Sequence, residues 1–155
     1  MTPAHRQTLL AKLRARTWRE WGLLLEALLA LAAARGAVLA LPFKWLTSLL
    51  GQQNAVVETV LLPEQATQAS RIAWAITAMA SRTPWQSNCL AQALAATALL
   101  RRRHIPSTLY LGVAKSAEQP EQLTAHAWVR CGDRNATGGA GAPRFTVLAP
   151  FTRTD

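Results

Sequence analysis

Two short stretches, Asn88-Cys89-Leu90 and Ala125-His126-Ala127-Trp128, hold the residue types from which acyl chemistry can be built. Thr83-Pro84-Trp85-Gln86-Ser87 precedes the cysteine, and a long alanine-rich apolar run ending in Arg101-Arg102-Arg103 follows it. The pattern predicts a helix start. Thr83 and Gln86 have capping-box spacing, Pro84 suits a first helical position, and Ser87 is a second candidate N-cap. On either choice Cys89 falls in the first turns of the helix. There unpaired backbone N–H groups and the positive end of the dipole stabilise negative charge on sulfur. The same N–H groups can hold the oxyanion formed when a thiolate attacks a carbonyl. His126 lies 37 residues further on, within the strand-like run Thr124 to Cys131. A cysteine at a helix start and a histidine on a following strand are the minimum for cysteine-nucleophile chemistry. A buried structural thiol beside an unrelated histidine is the plainer alternative.

The elements that must position these two residues follow from periodicity. Ser107 to Lys115 and Thr124 to Cys131 alternate as strands, with His126, Trp128 and Arg130 on one face and Ala127, Val129 and Cys131 on the other. Cys131 therefore reads as a small buried residue. No Cys/His cluster surrounds it, so no metal site is expected. Gly132-Asp133 is a hairpin-turn signal, the chain returns from Asn135, and Arg144 to Leu148 adds a last strand. Gly138-Gly139-Ala140-Gly141 lacks the Lys-Ser/Thr and the helix of a phosphate loop, and no cofactor is expected. The helix of Cys89 runs to about Arg103 and ends at His104-Ile105-Pro106, with the three arginines as a solvated cap at the negative end of its dipole.

The first half reads as helices. Leu9, Leu10, Leu13 and Trp18 share a helical face within residues 5 to 20. Trp21 to Leu41 is the most apolar run, broken by Glu26 and Arg35; a charge near the centre of a span costs roughly 2.5–3.5 kcal/mol, so a buried helix is expected. Contact with a membrane surface is the secondary expectation. Residues 51 to 57 read as a connector. Residues 63 to 82 form a further amphipathic helix, on which Trp74, like Trp85 beyond it, is expected to cover the core.

The 155 residues suit one domain, 1–155, with a helical cluster over 1–82 and a helix-plus-sheet core over 83–155. The fold class is α+β: a central Cys-bearing helix packed on a small antiparallel sheet. Seventeen Lys+Arg against eight Asp+Glu give a formal charge of +9, which points to an anionic membrane surface or an acidic partner. Nucleic acid is disfavoured, because the basic residues are dispersed, apart from Arg101 to Arg103 and the first twenty residues, and no binding motif is present. Two cysteines make no disulfide framework, so a cytoplasmic location is expected, extending to the inner face of the membrane.

The order of these elements resembles the transglutaminase-like, papain-related cysteine proteases. More closely, PWQSNCLAQALAATALLRRRHIPSTLYLGVAK and AHAWVRCGDR resemble the stand-alone leader peptidases of lasso-peptide biosynthesis. On this reading Cys89 is nucleophile and His126 general base, and backbone N–H groups near Cys89 hold the oxyanion, with the Gln86 side chain a candidate to support them. The resemblance implies cleavage of a precursor peptide delivered by a leader-binding partner protein, before an ATP-dependent cyclase of the asparagine-synthetase-like type closes the ring. The alternative function is a non-catalytic scaffold that presents leader peptide or cyclase at the membrane surface.

One departure stands out. The family's aspartate, about twelve residues beyond the histidine, falls near Gly138, where this chain has no carboxylate. Asp133 sits at the hairpin tip, about 20 Å along a strand from the imidazole. Pairing of residue 126 with one near 139 makes Thr137, or the carbonyls of Gly138 and Gly139, the candidates to orient His126.

Overall fold

Helix α1, Trp18–Ala40, is cut into the apolar run by its caps. Thr17 accepts from the Glu20 N–H while the Glu20 carboxylate accepts from the Thr17 N–H, a reciprocal capping box. Pro42 separates α1 from the short α2, Phe43–Leu49. In this computed structural model the described residues are 17–49, 52–53, 60–85, 87–116 and 121–152. The helical face expected over residues 5–20 lies almost wholly outside them. The connector expected at 51–57 contains strand β1, Gln52–Gln53, which carries no hydrophobic signal.

Helix α3, Pro63–Ala80, begins with proline at its first position. Helix α4, Cys89–Arg101, follows and forms the centre of the molecule. Its alanines 91, 93, 95 and 96 are fully buried, and their small side chains let α1, α3 and the sheet approach from several sides. Its C-terminus is a Schellman turn: the His104 N–H reaches the Arg101 carbonyl and the Ile105 N–H reaches that of Leu100, with His104 at φ 51.

Strands β2 (Thr108–Lys115), β3 (Leu123–Cys131), β4 (Arg134–Thr137) and β5 (Thr146–Thr152) complete an antiparallel sheet of order β1-β5-β2-β3-β4. β3 and β4 form the expected hairpin through Gly132-Asp133. The last strand runs to Thr152 rather than Leu148, because it pairs along β2 from Thr146 onward. One cluster of buried side chains joins Leu24, Leu31, Ile72, Ile76, Leu99, Leu100, Val129 and Phe151. The fold is α+β, with helices on one face of the sheet, as expected.

Three expectations need correction. Helix α1 is not buried all round: Leu24, Ala27, Leu31 and Ala34 enter the core, while Leu25, Leu29 and Leu39 stand in solvent. It is long and apolar enough to cross a membrane, with a mean hydropathy of 1.9, a property shared with core helices of soluble proteins. Arg102 and Arg103 are not simply a solvated cap. Both reach Glu26 of α1, through Arg102 Nη1 to Glu26 Oε1 at 2.8 Å and Arg103 Nη2 to Glu26 Oε2. The acid that interrupts the apolar run thus pins α1 to the end of α4. Trp74, finally, is about two-fifths exposed rather than a core cover.

Candidate active site

Cys89 is the first residue of α4, and the cap is neither Thr83 nor Ser87. Asn88 takes that role, its Oδ1 accepting from the Ala91 N–H at 2.9 Å while its own carbonyl accepts from the Gln92 N–H. Thr83 and Ser87 bond to each other through their hydroxyls at 3.0 Å and shape the approach loop instead. Gln92 Nε2 donates to the Ser87 carbonyl at 2.7 Å, fastening that loop to the helix one turn beyond the thiol. Sequence reasoning missed Gln92, although an amide one turn after a helix start is the detectable signal. Two first-turn N–H groups, those of Cys89 and Leu90, have no acceptor among the described residues. They are the donors available to an oxyanion beside the half-buried sulfur. Gln86 lies outside the described residues.

His126 projects from β3 on the side away from Ala127, Val129 and Cys131, which pack into the helical core. Its ring stacks against Phe145 at 4.8 Å and Trp128 at 5.9 Å. Trp128 stacks on Tyr110 in turn. Gly112, the register partner of His126, leaves room for this layer; a Cβ there would lie 3.0 Å from both Trp128 and Phe145. Nε2 of His126 is 2.8 Å from the Gly138 carbonyl. A carbonyl oxygen only accepts, so Nε2 carries the proton and Nδ1 presents the lone pair. The contact depends on a backbone turn that glycine permits, at φ 68, where an added Cβ would sit 2.7 Å from the Ala127 carbonyl.

Thr137 does not orient the ring. It pairs with Val129 rather than with Trp128, because the register shifts between Val129 and Arg130. A one-residue shift moves a side chain to the other face of the sheet. Thr137 is therefore buried with Val129, and its hydroxyl has no hydrogen-bond partner among the described residues. Asp133 is at the hairpin tip, two residues beyond Cys131.

Helix α4 packs on β3, the strand that carries His126. β2 starts just after the end of α4 and runs back along it, pairing Thr108 with Arg130 and Gly112 with His126. Gln65 Nε2 donates to the His104 carbonyl, so the start of α3 marks the same far end of α4. Among the described residues no hydrogen bond joins the two groups directly. Cys131 differs sharply: it is buried, and burial pushes its thiol from 9.0 up to about 12. Groups of three or more metal-ligating residues are absent among the described residues.

Cys89 thus opens the central helix, His126 lies on β3 of the antiparallel sheet, and the carbonyl that holds the imidazole lies just past the end of β4. The family model of the Transglutaminase-like superfamily matches residues 37–150, and the chain belongs to that superfamily. No curated protein and no solved structure matches the chain.

Proposed function

We propose that this chain is a cysteine peptidase that removes the leader from a lasso-peptide precursor, with Cys89 as nucleophile and His126 as general base. The observation that carries the reading is His126 held by the Gly138 carbonyl in the Nε2–H tautomer, which leaves Nδ1 to act as base. Nδ1 takes the thiol proton, and sulfur bonds to the scissile carbonyl carbon. The oxygen gains the displaced electron pair beside the Cys89 and Leu90 N–H groups. His126 then protonates the leaving amine as the C–N bond breaks. Water attacks the thioester, giving its proton to His126, and releases the leader carboxylate with the thiol restored. Catalytic hydrogen bonds often tighten only once substrate is bound, so the Cys89–His126 contact forms in the complex.

The peptide specificity rests on the resemblance of the PWQSNCL, RRRHIP and AHAWV segments. A leader-binding partner delivers the precursor and a cyclase takes the product, all in the cytoplasm. The missing carboxylate near Gly138 favours a second reading, a scaffold that presents leader peptide without cleaving it. Time-resolved mass spectrometry of precursor incubated with the chain and its leader-binding partner separates the two. Cleavage lost in Cys89→Ala supports the peptidase; an intact precursor with retained leader binding supports the scaffold. Efficient cleavage by the chain alone at low micromolar precursor would remove the partner from the scheme.

A further inference from the structure

Between Trp21 and Leu41 the fully exposed face of α1 carries no charged residue, and Arg35, half-buried, flanks it. Every position classed as exposed there is Trp, Gly, Leu or Ala, including Leu25, Leu29 and Leu39. The stripe is about 35 Å long, and its one acid, Glu26, is turned inward onto Arg102 and Arg103. Exposed tryptophans stand at both ends, Trp18 at the start and Trp45 just beyond the finish. Cations accompany them: Arg19 at one end and Lys44 at the other, both exposed. Beside Trp18, a cleft of about 590 Å³ between α1 and α3 is lined by Arg19, Arg71 and Trp74, and by Glu20, whose carboxylate is taken up by the Thr17 N–H of the capping box. Neither guanidinium has an ion-pair partner among the described residues.

We propose that this face of α1 is a docking surface for an anionic phospholipid bilayer, on which the helix lies flat. Apolar side chains flanked by tryptophan and cations match the layered chemistry of a membrane interface, and the +9 formal charge adds attraction to anionic headgroups. The Arg19–Arg71 cleft receives a lipid phosphate while the leucine stripe enters the acyl boundary. The same net charge disfavours a second copy of the chain as occupant, since two copies of +9 repel. A spanning arrangement is disfavoured by Leu24, Ala27 and Leu31, which hold the helix's other face in the core. The proposal is independent of the peptidase reading.

Sedimentation of the full chain with phosphatidylglycerol–phosphatidylcholine vesicles tests it, alongside pure phosphatidylcholine. The protein pellets with the anionic vesicles, and high salt releases it. Leu25→Glu with Leu29→Glu lowers binding about tenfold or more, with circular dichroism unchanged. Arg19→Gln with Arg71→Gln likewise lowers binding about tenfold or more. Failure of the wild-type chain to pellet with any vesicle overturns the proposal. So does a self-associated state dissolved by the leucine variant, which would make a second copy the occupant. Retention after alkaline carbonate extraction would replace it with a true span.

Discussion

His126 Nε2 and the carbonyl oxygen of Gly138, twelve residues apart in the chain, stand 2.8 Å from each other. A peptide group therefore sits where a carboxylate was sought. It fixes the tautomer as a carboxylate does, but its dipole stabilises an imidazolium less than a full negative charge. Slow turnover is the expected consequence for a peptidase built this way.

Gly138→Ala tests the contact. A Cβ at φ 68 costs about 1–3 kcal/mol, and the 2.7 Å approach to the Ala127 carbonyl forces the peptide to shift. Cleavage should fall about ten- to hundredfold, less than the roughly 10⁴ lost with a carboxylate orienter. The fall should persist well below the melting temperature, as read by progress curves beside thermal unfolding. A destabilised variant of unchanged rate would show that the carbonyl does not orient the ring.

Asp133 provides the contrasting case. It lies at the tip of the β3–β4 hairpin, some seven strand residues from His126, or about 20 Å. Asp133→Asn should leave the cleavage rate within about threefold of wild type, whereas His126→Ala should abolish it. A folded Asp133→Asn variant that loses several orders of magnitude would contradict the hairpin register.

The register was also where sequence reasoning met its limit. Alternation located His126, Trp128 and the buried Ala127, Val129 and Cys131, because a half-buried strand writes its faces into its sequence. The bulge opposite Val129 leaves no such mark, and so Thr137 was expected on the wrong face. Strand β1 is two glutamines, too short for any periodicity. The apolar run of α1 was legible as a helix, but composition alone could not separate the side that enters the core from the side that faces out. Nor could it show that Glu26 meets arginines 76 and 77 residues away, since long-range ion pairs leave no local pattern.

The two thiols should separate cleanly. Cys89→Ala should eliminate cleavage without loss of fold, and Cys131→Ala should keep activity, because Cys131 is enclosed on the helix-facing side of β3. Precursor mass spectrometry on the two variants reads this directly. Activity in Cys89→Ala and none in a folded Cys131→Ala would assign the wrong sulfur.

Cys131 also gives the protein an alkaline weakness. Burial raises its pKa from 9.0 to about 12, so between those values the folded state retains a proton that the unfolded state has lost. Stability is unaffected below pH 9 and falls as pH rises from about 9 toward 12. Thermal unfolding from pH 7 to 11 should show a steeper alkaline decline in wild type than in Cys131→Ala. Parallel curves would mean that the thiol ionises without penalty in the fold.

The Glu26 pairs join the apolar helix to the end of the cysteine-bearing one. Glu26 is about a quarter exposed and its two partners differ, Arg103 being largely covered and Arg102 largely solvated. Solvent screens the Arg102 pair most, so the Arg103 contact should dominate. Glu26→Gln keeps the side-chain shape and removes the charge. Arg103 then keeps the bond that its Nη1 donates to the Leu99 carbonyl at 3.1 Å, while both guanidiniums lose their anionic partner. A loss of about 1–2 kcal/mol is expected, or roughly 2–6 °C in melting temperature for a chain of this size. The difference from wild type should shrink in high salt, as partly exposed pairs do. Cleavage measured well below the transition should stay near wild type, because the change lies at the far end of α4 from Cys89. Identical melting curves at low salt would show that the pair contributes nothing and that packing of Leu24, Ala27 and Leu31 alone holds α1 in place.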